Sequence, residues 1–216
     1  MKNVLIACEE SQTVCKAFRE KGFNAYSCDV VEPSGGHPEW HFLGDVLEIL
    51  NPYYKRIKTM DGKPYFIRKW DLIIAHPPCT HLAVSGIRWF KEGKKDIKLQ
   101  EQAINFFMEF VNVNCEHVAI ENPVCIMSTK YRKPDQIINP WQFGHTEQKK
   151  TCLWLKGLPK LKETNNVYKD MILLPEKERC KIWYMGSHHS KERSKTYKGF
   201  ALAMADQWGA YLINER

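Results

Sequence analysis

Long apolar runs are missing from this 216-residue sequence, and no segment is long enough to cross a membrane as a helix. A membrane-spanning helix needs about 20 consecutive apolar residues, whereas the apolar runs here are only a few residues long. No basic region precedes the first apolar segment, Asn3–Ala7, so a secretory signal is not expected either. The sequence therefore predicts a cytoplasmic protein with no membrane partner.

The 8 cysteines form no Cys-x-x-Cys pair and no framework of the kind found in small secreted proteins. Several lie on or beside apolar segments, where a reduced thiol packs as a small hydrophobic side chain. Cys115, His117 and Cys125 are close in sequence, but they flank a core-like apolar run, so we expect no metal site. The adjacent His188 and His189 fall in a charged segment and are interpreted as surface residues.

Glycine is absent from the turn after the first apolar segment, which has the sequence Cys8-Glu9-Glu10-Ser11. Pyrophosphate-binding turns need glycine for close backbone approach and avoid carboxylates, so a turn of that kind is excluded. The first apolar segment is still predicted as a strand, residues 10–21 as an amphipathic helix and residues 23–28 as a second strand. This alternation predicts an α/β fold with a doubly wound, mostly parallel sheet.

Two further apolar segments each end in a proline-containing turn that carries reactive side chains. Residues 71–75 precede His76-Pro77-Pro78-Cys79, and residues 117–120 precede Glu121-Asn122-Pro123. Proline has no N–H to donate to a central strand, so each strand is expected to end there. If the two strands are neighbours, Cys79 and Glu121 meet at the carboxyl edge of the sheet, where such sheets bind ligands. A thiol beside a carboxylic acid favours covalent catalysis with acid assistance, and the alternative is an inert buried cysteine.

Pro78-Cys79 and Glu121-Asn122 resemble, in the same order, the Pro-Cys and Glu-Asn motifs of the cytosine-C5 DNA methyltransferases. The resemblance covers nearly the whole chain and is closest to short methylase-like proteins often encoded by bacteriophages, which implies a bacterial host cytoplasm. It implies a Rossmann-like domain that uses S-adenosyl-L-methionine to methylate cytosine in DNA. In such a site Cys79 adds to C6 of the base, and Glu121 holds or protonates N3. Asn122 then orients Glu121 or the Cys79 loop.

The segment containing Lys149 resembles the Gln-x-Arg-x-Arg motif of that family, with Lys149 in place of the first arginine and Thr151 in place of the second. Lys149 is therefore expected by the base carbonyl or a phosphate, and near enough to favour the Cys79 thiolate. Asp29, at the end of the second strand, is placed to accept hydrogen bonds from ribose hydroxyls. The resemblance also assigns Asp45 to the adenine amino group. Further cofactor-binding residues are expected at the same edge: Cys8, Glu9, Glu10, Ser11, Val30, Val46, His76, Pro77, Pro78 and Thr196.

Residues 157–193 show no strong periodicity and stand where full-size members of that family carry a target-recognition domain. We therefore expect one methyltransferase domain over residues 1–216 with a reduced, irregular insert at about 157–193. Its DNA partner would present a flipped base or a single strand. The pattern indicates no particular oligomeric state.

The net charge of +7, from 32 basic and 25 acidic residues, favours a polyanionic partner. The basic residues cluster in predicted loops: Lys91, Lys94, Lys95, Lys130, Arg132, Lys133, Lys149, Lys150, Lys191, Arg193, Lys195 and Lys198. Aromatic residues interleave with them, so the groups are interpreted either as a phosphate-facing rim or as solvated lysines.

Three alternatives remain open. The two prolines before Cys79 resemble the Asn/Asp-Pro-Pro-aromatic loop of amino-methyltransferases, although the amide and the aromatic residue are missing. A C5 methyltransferase of free pyrimidine nucleotides would need no recognition domain. A catalytically inactive nucleic-acid-binding module of the same fold would account for the charge without the chemistry.

The remaining segments are predicted as a loop over residues 80–93, a helix over 96–113 and a final helix over 194–210. The last predicted element is a small hairpin around Asp61-Gly62, within residues 51–68.

Overall fold

The structure is a computed structural model that describes residues 1–51, 56–186 and 189–215. Its strands are β1 (Asn3–Ala7), β2 (Asn24–Asp29), β3 (His41–Leu43), β4 (Arg56–Lys58), β5 (Pro64–Phe66), β6 (Leu72–Ala75), β7 (Val118–Pro123), β8 (Gln136–Ile138) and β9 (Thr151–Lys156). Its helices are α1 (Thr13–Glu20), α2 (Leu47–Leu50), α3 (Ile87–Lys91), α4 (Ile97–Asn112), α5 (Met127–Lys130), α6 (Tyr168–Leu173), α7 (Glu176–Arg179), α8 (Lys181–Tyr184), α9 (Ser190–Ser194) and α10 (Lys198–Asn214).

Within the described residues, seven strands form one sheet in the order β3-β2-β1-β6-β7-β9-β8. The strands from β3 to β7 in that order are parallel to one another, whereas β9 runs antiparallel to both β7 and β8. The prediction of an α/β fold with a mostly parallel sheet is therefore confirmed. The strand order reverses between β1 and β6, and the crevice at such a reversal is the usual ligand site of open α/β sheets.

Alternate residues of the central strands pack into two separate cores, one on each face of the sheet. Leu5 and Ile73 face a core that contains Phe107 and Phe110 of α4. Val4 and the other alternate residues of β1 and β6 face a second core, which contains α1 and α10. Because both faces are covered, β1 and β6 are apolar and buried along their length, as the continuous hydrophobic runs predicted.

The turn between β1 and α1 differs from its prediction, because α1 begins at Thr13 instead of residue 10. Cys8 and Gln12 both have left-handed backbone conformations, with φ of 59° and 57°. Residues between two such positions cannot continue a right-handed helix. The buried carboxylate of Glu9 then accepts the N–H groups of Val14 at 2.6 Å and Cys15 at 3.1 Å, which satisfies donors of the first helical turn.

Two predicted elements are confirmed with small shifts of their ends. The helix predicted over residues 96–113 is α4, and the side chain of Asp96 caps it by accepting the N–H of Lys98 at 2.9 Å. The hairpin around Asp61-Gly62 consists of β4 and β5, which pair antiparallel. Residues 52–55 of the segment predicted to contain it lie outside the described residues.

Two other segments contain short helices that were not predicted, and the last helix begins later than predicted. The loop expected over residues 80–93 contains α3, and the described parts of the 157–193 segment contain α6, α7, α8 and α9. These helices span only 4 to 6 residues, too short to show a helical period in sequence. The last helix begins at Lys198 instead of residue 194, and Thr196 lies in the connection before it.

No helix within residues 1–51, 56–186 and 189–215 has the length and apolar character needed to cross a bilayer.

Candidate active site

The carboxyl ends of β6 and β7 lie side by side at the centre of the sheet. Ala75 is opposite Ile120, so His76 and Glu121 follow at the same level on the two strands. The side-chain amide of Asn122 donates a hydrogen bond of 2.7 Å to the carbonyl of Pro77, across the two strand ends. This bond connects β7 directly to the turn that carries Cys79.

Pro123 is the last residue of β7, as expected, but the strand includes Glu121 and Asn122, and Pro123 itself lies opposite Thr151 of β9. On its other side β7 has no strand partner beyond Ala75, where β6 ends. A proline without an N–H is tolerated where that side of the strand needs no ladder hydrogen bond. Glu121 and Asn122 are therefore held by a strand, which fixes them more firmly than a loop would.

Cys79 is exposed at the start of a tight turn, in which its carbonyl accepts the N–H groups of Leu82 at 3.0 Å and Ala83 at 2.9 Å. Partial desolvation and the negative charge of Glu121 raise the pKa of the Cys79 thiol above its ordinary value. The positive charges of Lys149 and Arg193 oppose that rise. The thiol is therefore mainly protonated at neutral pH in this arrangement, and a base or a bound ligand must help to form the thiolate.

Glu121 forms an enclosed pair with His76, whose Nδ1 lies 3.3 Å from Oε2 of Glu121. Burial would raise the pKa of Glu121, but the hydrogen bond and charge of His76, together with Lys149, bring it below its ordinary value. Burial would lower the pKa of His76, but Glu121 and the more distant Glu9 raise it above its ordinary value. Both shifts favour an imidazolium paired with a carboxylate.

Lys149 reaches the same site from the segment before β9. Its Nζ donates a hydrogen bond of 3.0 Å to the carbonyl of Arg193 and lies 5.8 Å from the ring centroid of Tyr197. Its charge acts on Cys79, His76 and Glu121. The four residues predicted to be catalytic, Cys79, Glu121, Asn122 and Lys149, are thus brought to one edge of the sheet.

The predicted cofactor residues after β1 face in different directions. Glu9 is buried against the start of α1, and burial raises the pKa of its carboxyl despite the opposing charge of His76. Both carboxyl oxygens of Glu10 are buried and accept no hydrogen bond from the described part of the chain, although Nζ of Lys191 lies 3.5 Å from Oε2. Ser11 Oγ lies 3.0 Å from Thr13 Oγ1. Burial raises the pKa of the Cys8 thiol.

The predicted cofactor residues at the ends of β2 and β3 make local turn contacts, and one of them lines a cavity. Asp29 Oδ1 accepts the N–H of Val31 at 3.1 Å, and Asp45 Oδ1 accepts the N–H of Leu47 at 2.9 Å. Burial raises the pKa of Asp29. Asp45 lines a cavity of about 420 Å³ together with Gly44 and residues of β2, α2 and β4. Val30 is exposed, whereas Val46 is buried in the core.

Comparison with known protein families and with curated proteins gives no match to this chain.

Metal ligation finds no support in the described residues, which contain no group of three or more His, Cys, Asp and Glu side chains able to hold an ion. Cys115 and His117 are engaged otherwise: Cys115 Sγ contacts the Trp70 carbonyl at 3.4 Å, and His117 Nε2 pairs with Glu215 at 2.6 Å. His189 pairs with Glu192 at 2.7 Å and is exposed, while His188 lies outside the described residues.

Sequence reasoning missed three features of the site. It placed His76 among the cofactor residues and did not foresee its contact with Glu121, although both residues directly follow apolar strand segments. It also did not foresee that Arg193 acts on Cys79, or that the hydroxyl of Tyr197, next to the predicted Thr196, donates a 2.7 Å hydrogen bond to Glu147. The Tyr197–Glu147 bond joins residues 50 positions apart, and Arg193 is further still from Cys79 in sequence, so no local pattern indicates either interaction.

Proposed function

We propose that this chain is an S-adenosyl-L-methionine-dependent methyltransferase that acts on C5 of cytosine in DNA through a bond between Cys79 and C6 of the base. The observation that carries this proposal is the convergence of an exposed thiol and an enclosed carboxyl group at neighbouring strand ends. The Asn122–Pro77 hydrogen bond and the His76–Glu121 pair connect the two groups. The Pro-Cys and Glu-Asn motifs supply the same pairing in sequence.

The residues at the carboxyl edge fit the proposed cofactor. Asp29 is the last residue of β2 and Asp45 follows β3, the two strands on one side of β1, where hydroxyl and amino groups of an adenosine can be bound. The Asp45 cavity of about 420 Å³ is open at that position. Glu10 presents a buried carboxyl group that accepts no hydrogen bond from the described residues, and such a group suits a cationic amine or sulfonium.

The chemistry divides among the chain's own residues. The Cys79 thiolate adds to C6 of the base, and the displaced electron pair moves toward N3. Glu121 lies where it can hold that nitrogen and limit the build-up of negative charge. When bound, S-adenosyl-L-methionine supplies an electrophilic methyl group, and C5 of the resulting enamine is the atom that receives it. Asn122 fixes the turn on which Cys79 is carried.

The substrate must present its base outside a duplex stack, as a flipped base or in a single strand. Described residues 157–186 and 189–193 form short helices without a further sheet, which supports a DNA partner read with little sequence discrimination. The same observation favours a second candidate substrate, a free pyrimidine nucleotide.

Incubation with methyl-labelled S-adenosyl-L-methionine and single-stranded or duplex oligonucleotides, followed by nucleoside analysis, tests the proposal. We expect label in 5-methylcytosine from the wild-type protein and none from Cys79→Ala, because the covalent step needs the sulfur. Cys180→Ala is the matched control, since it removes a half-buried thiol outside the site and should retain full activity. Competition by dCMP distinguishes the free nucleotide from DNA.

Other outcomes would contradict the proposal. Label on an exocyclic nitrogen would indicate an amino-methyltransferase, and turnover by Cys79→Ala would remove the covalent mechanism. DNA binding without affinity for the cofactor would indicate an inactive binding module.

A further inference from the structure

The proposed function requires Glu121 to supply a proton, although its surroundings keep its carboxyl group ionised. Addition of Cys79 to C6 needs a proton at N3, so the group that contacts N3 must be able to supply one. Yet His76 Nδ1 lies 3.3 Å from Oε2 of Glu121, and this contact outweighs burial and keeps the pKa of Glu121 below its ordinary value. A carboxyl group held ionised in this way has no proton of its own to give.

The proton that Glu121 lacks is present on its neighbour. The side chain of His76 is only 10% exposed, and the groups that act on it come from three directions. Glu121 lies on β7, Glu9 lies in the turn before α1, and Lys149 lies before β9. Burial and the charge of Lys149 lower the pKa of His76, but the hydrogen bond and charge of Glu121, with a further contribution from Glu9, outweigh them and favour a protonated imidazole.

The two ring nitrogens of His76 differ in whether they have a hydrogen-bond partner. Nε2 is buried and has no hydrogen-bond partner in the described part of the chain. Nδ1 is therefore the ring atom with an acceptor, and that acceptor is Glu121. Loss of the Nδ1 proton leaves neutral imidazole, the form that burial favours, and the carboxylate of Glu121 then faces the protonated N3 of the base.

We propose that His76 is a positioning residue that stores the proton which Glu121 passes to N3 of the base during addition of Cys79. This inference rests on the proposed function. As the S–C6 bond forms, the displaced ring electron pair takes a proton at N3, and Nδ1 of His76 loses one. Glu121 is a carboxylate before and after the transfer. After methyl transfer C5 loses its hydrogen as a proton to water, and elimination of Cys79 from C6 re-forms the C5=C6 bond. N3 then returns its proton through Glu121 to His76, which restores the imidazolium.

His76→Asn tests the inference, because its side-chain amide can donate to Glu121 but cannot give up a proton at neutral pH. We expect kcat to fall by about 100-fold with little change in KM, the size typical of a lost acid–base group. The wild-type pH–rate profile should fall on its alkaline side as His76 loses its proton, and this limb should be absent from His76→Asn. His117→Asn is the matched control, since His117 is also buried and carboxylate-paired, at the opposite end of β7.

A second measurement does not depend on activity or on the folding of His76→Asn. Side-chain ¹⁵N NMR of the substrate-free protein should show His76 titrating above the ordinary histidine value of about 6.5. In Glu121→Gln it should titrate below that value, because burial then dominates. Thermal unfolding checks that each variant folds.

The two proposals fail in distinguishable ways. If the wild-type protein transfers no methyl group, both are overturned. If it transfers methyl groups but His76→Asn keeps the rate and the alkaline limb, or if His76 titrates at the same pH in Glu121→Gln, the proton-storage role alone is overturned.

Discussion

Asn122 determines how firmly the nucleophile is held. Its side-chain amide donates to the Pro77 carbonyl at 2.7 Å, while the residue itself is buried within β7. The turn carrying Cys79 is thus attached to the central sheet two residues before the sulfur-bearing position. A rigid attachment of this kind limits the movement of the thiol relative to Glu121.

Asn122→Ala should lower the free energy of unfolding by about 1–3 kcal/mol, because it leaves the Pro77 carbonyl without its donor in a buried place. It should also speed the alkylation of Cys79 by iodoacetamide, because the turn becomes freer to move. Urea unfolding and mass-spectrometric alkylation rates measure the two effects. Asn166→Ala is the control, because the side-chain amide of Asn166 is exposed and donates to the exposed carboxyl group of Glu163. Unchanged alkylation in Asn122→Ala would show that the proline pair alone holds Cys79.

The His76–Glu121 pair gives the folded state a defined pH dependence. The pKa of His76 is raised, so its stabilisation is complete below its unfolded value of about 6.5 and is lost as the pH rises through the folded-state pKa. The pKa of Glu121 is lowered, so its stabilisation is present above its unfolded value of about 4.3 and is lost as the pH falls through the folded-state pKa. The pair therefore stabilises the protein most between these two unfolded values.

The difference in unfolding free energy between the wild-type protein and His76→Asn should accordingly be larger at about pH 6 than at about pH 9. Chemical unfolding at the two pH values measures it, and the groups shared by both proteins cancel in the difference. An equal difference at both values would mean that His76 is neutral throughout this range.

Residues at the ends of strands were predictable to the extent that their neighbours in sequence determine them. Cys79 and Glu121 could be placed at one edge because apolar runs and prolines mark where their strands end. The His76–Glu121 contact could not, because it requires the register Ala75–Ile120, which is fixed by packing between strands 45 residues apart. The orientation of the Glu9 side chain could not be predicted either, because it depends on the left-handed conformations of Cys8 and Gln12.

At the scale of elements, long periodic segments were predicted and pairing partners were not. The helix α4 was predicted because its apolar residues recur at helical spacing, and the structure adds that Asp96 caps it. The antiparallel strand β9, which enters between β7 and β8, has the same apolar character as a parallel strand. Whether β9 runs parallel or antiparallel depends on how the chain is connected from β8 to β9. The amino-acid composition of the strand does not specify that connection.

The packing of α10 against α1 provides a test at this scale. Gly209 of α10 is buried, and a Cβ atom there would lie 2.9 Å from the Phe23 ring, which packs edge-on against Phe18 of α1 at 5.5 Å. Helix propensity alone predicts that Gly209→Ala stabilises by about 1 kcal/mol. We expect it to destabilise instead, by about 1–3 kcal/mol, because the ring cannot move without disturbing the core.

Ala210→Gly is the matched variant for Gly209→Ala, one residue further along α10 and exposed. It should also destabilise, by about 1 kcal/mol, because no contact offsets its lower helix propensity. Thermal or urea unfolding of both variants measures the pair. A gain in stability for Gly209→Ala would show that α10 can move away from Phe23 without loss.

At the scale of the whole molecule, lysines at both edges of the sheet pair with carboxylates, and those after Cys79 also lie over aromatic rings. At the amino edge, Lys2 and Lys69 lie 3.7 Å and 3.9 Å from Asp71, and Lys21 pairs with Asp206. At the carboxyl edge, the segment after Cys79 carries Lys91, Lys94 and Lys95, and Lys94 pairs with Glu92 at 2.8 Å. Lys94 and Lys95 also lie over the rings of Trp89 and Phe90, 4.8 Å and 5.5 Å from their centroids. Charges beside aromatic rings are typical of surfaces that bind single-stranded nucleic acid.

Replacing Lys91, Lys94 and Lys95 together by alanine should therefore weaken binding of single-stranded DNA and reduce its salt dependence. Each phosphate contact on a single strand contributes about −0.7 to the slope of log K against log salt, so the slope should become shallower by about 2. Fluorescence anisotropy over a salt series measures it. Replacing Lys2, Lys21 and Lys69 by alanine removes the same charge at the amino edge and should leave the slope unchanged. An equal change in both triple variants would mean that DNA responds to the net charge of +7 and not to the edge that carries Cys79.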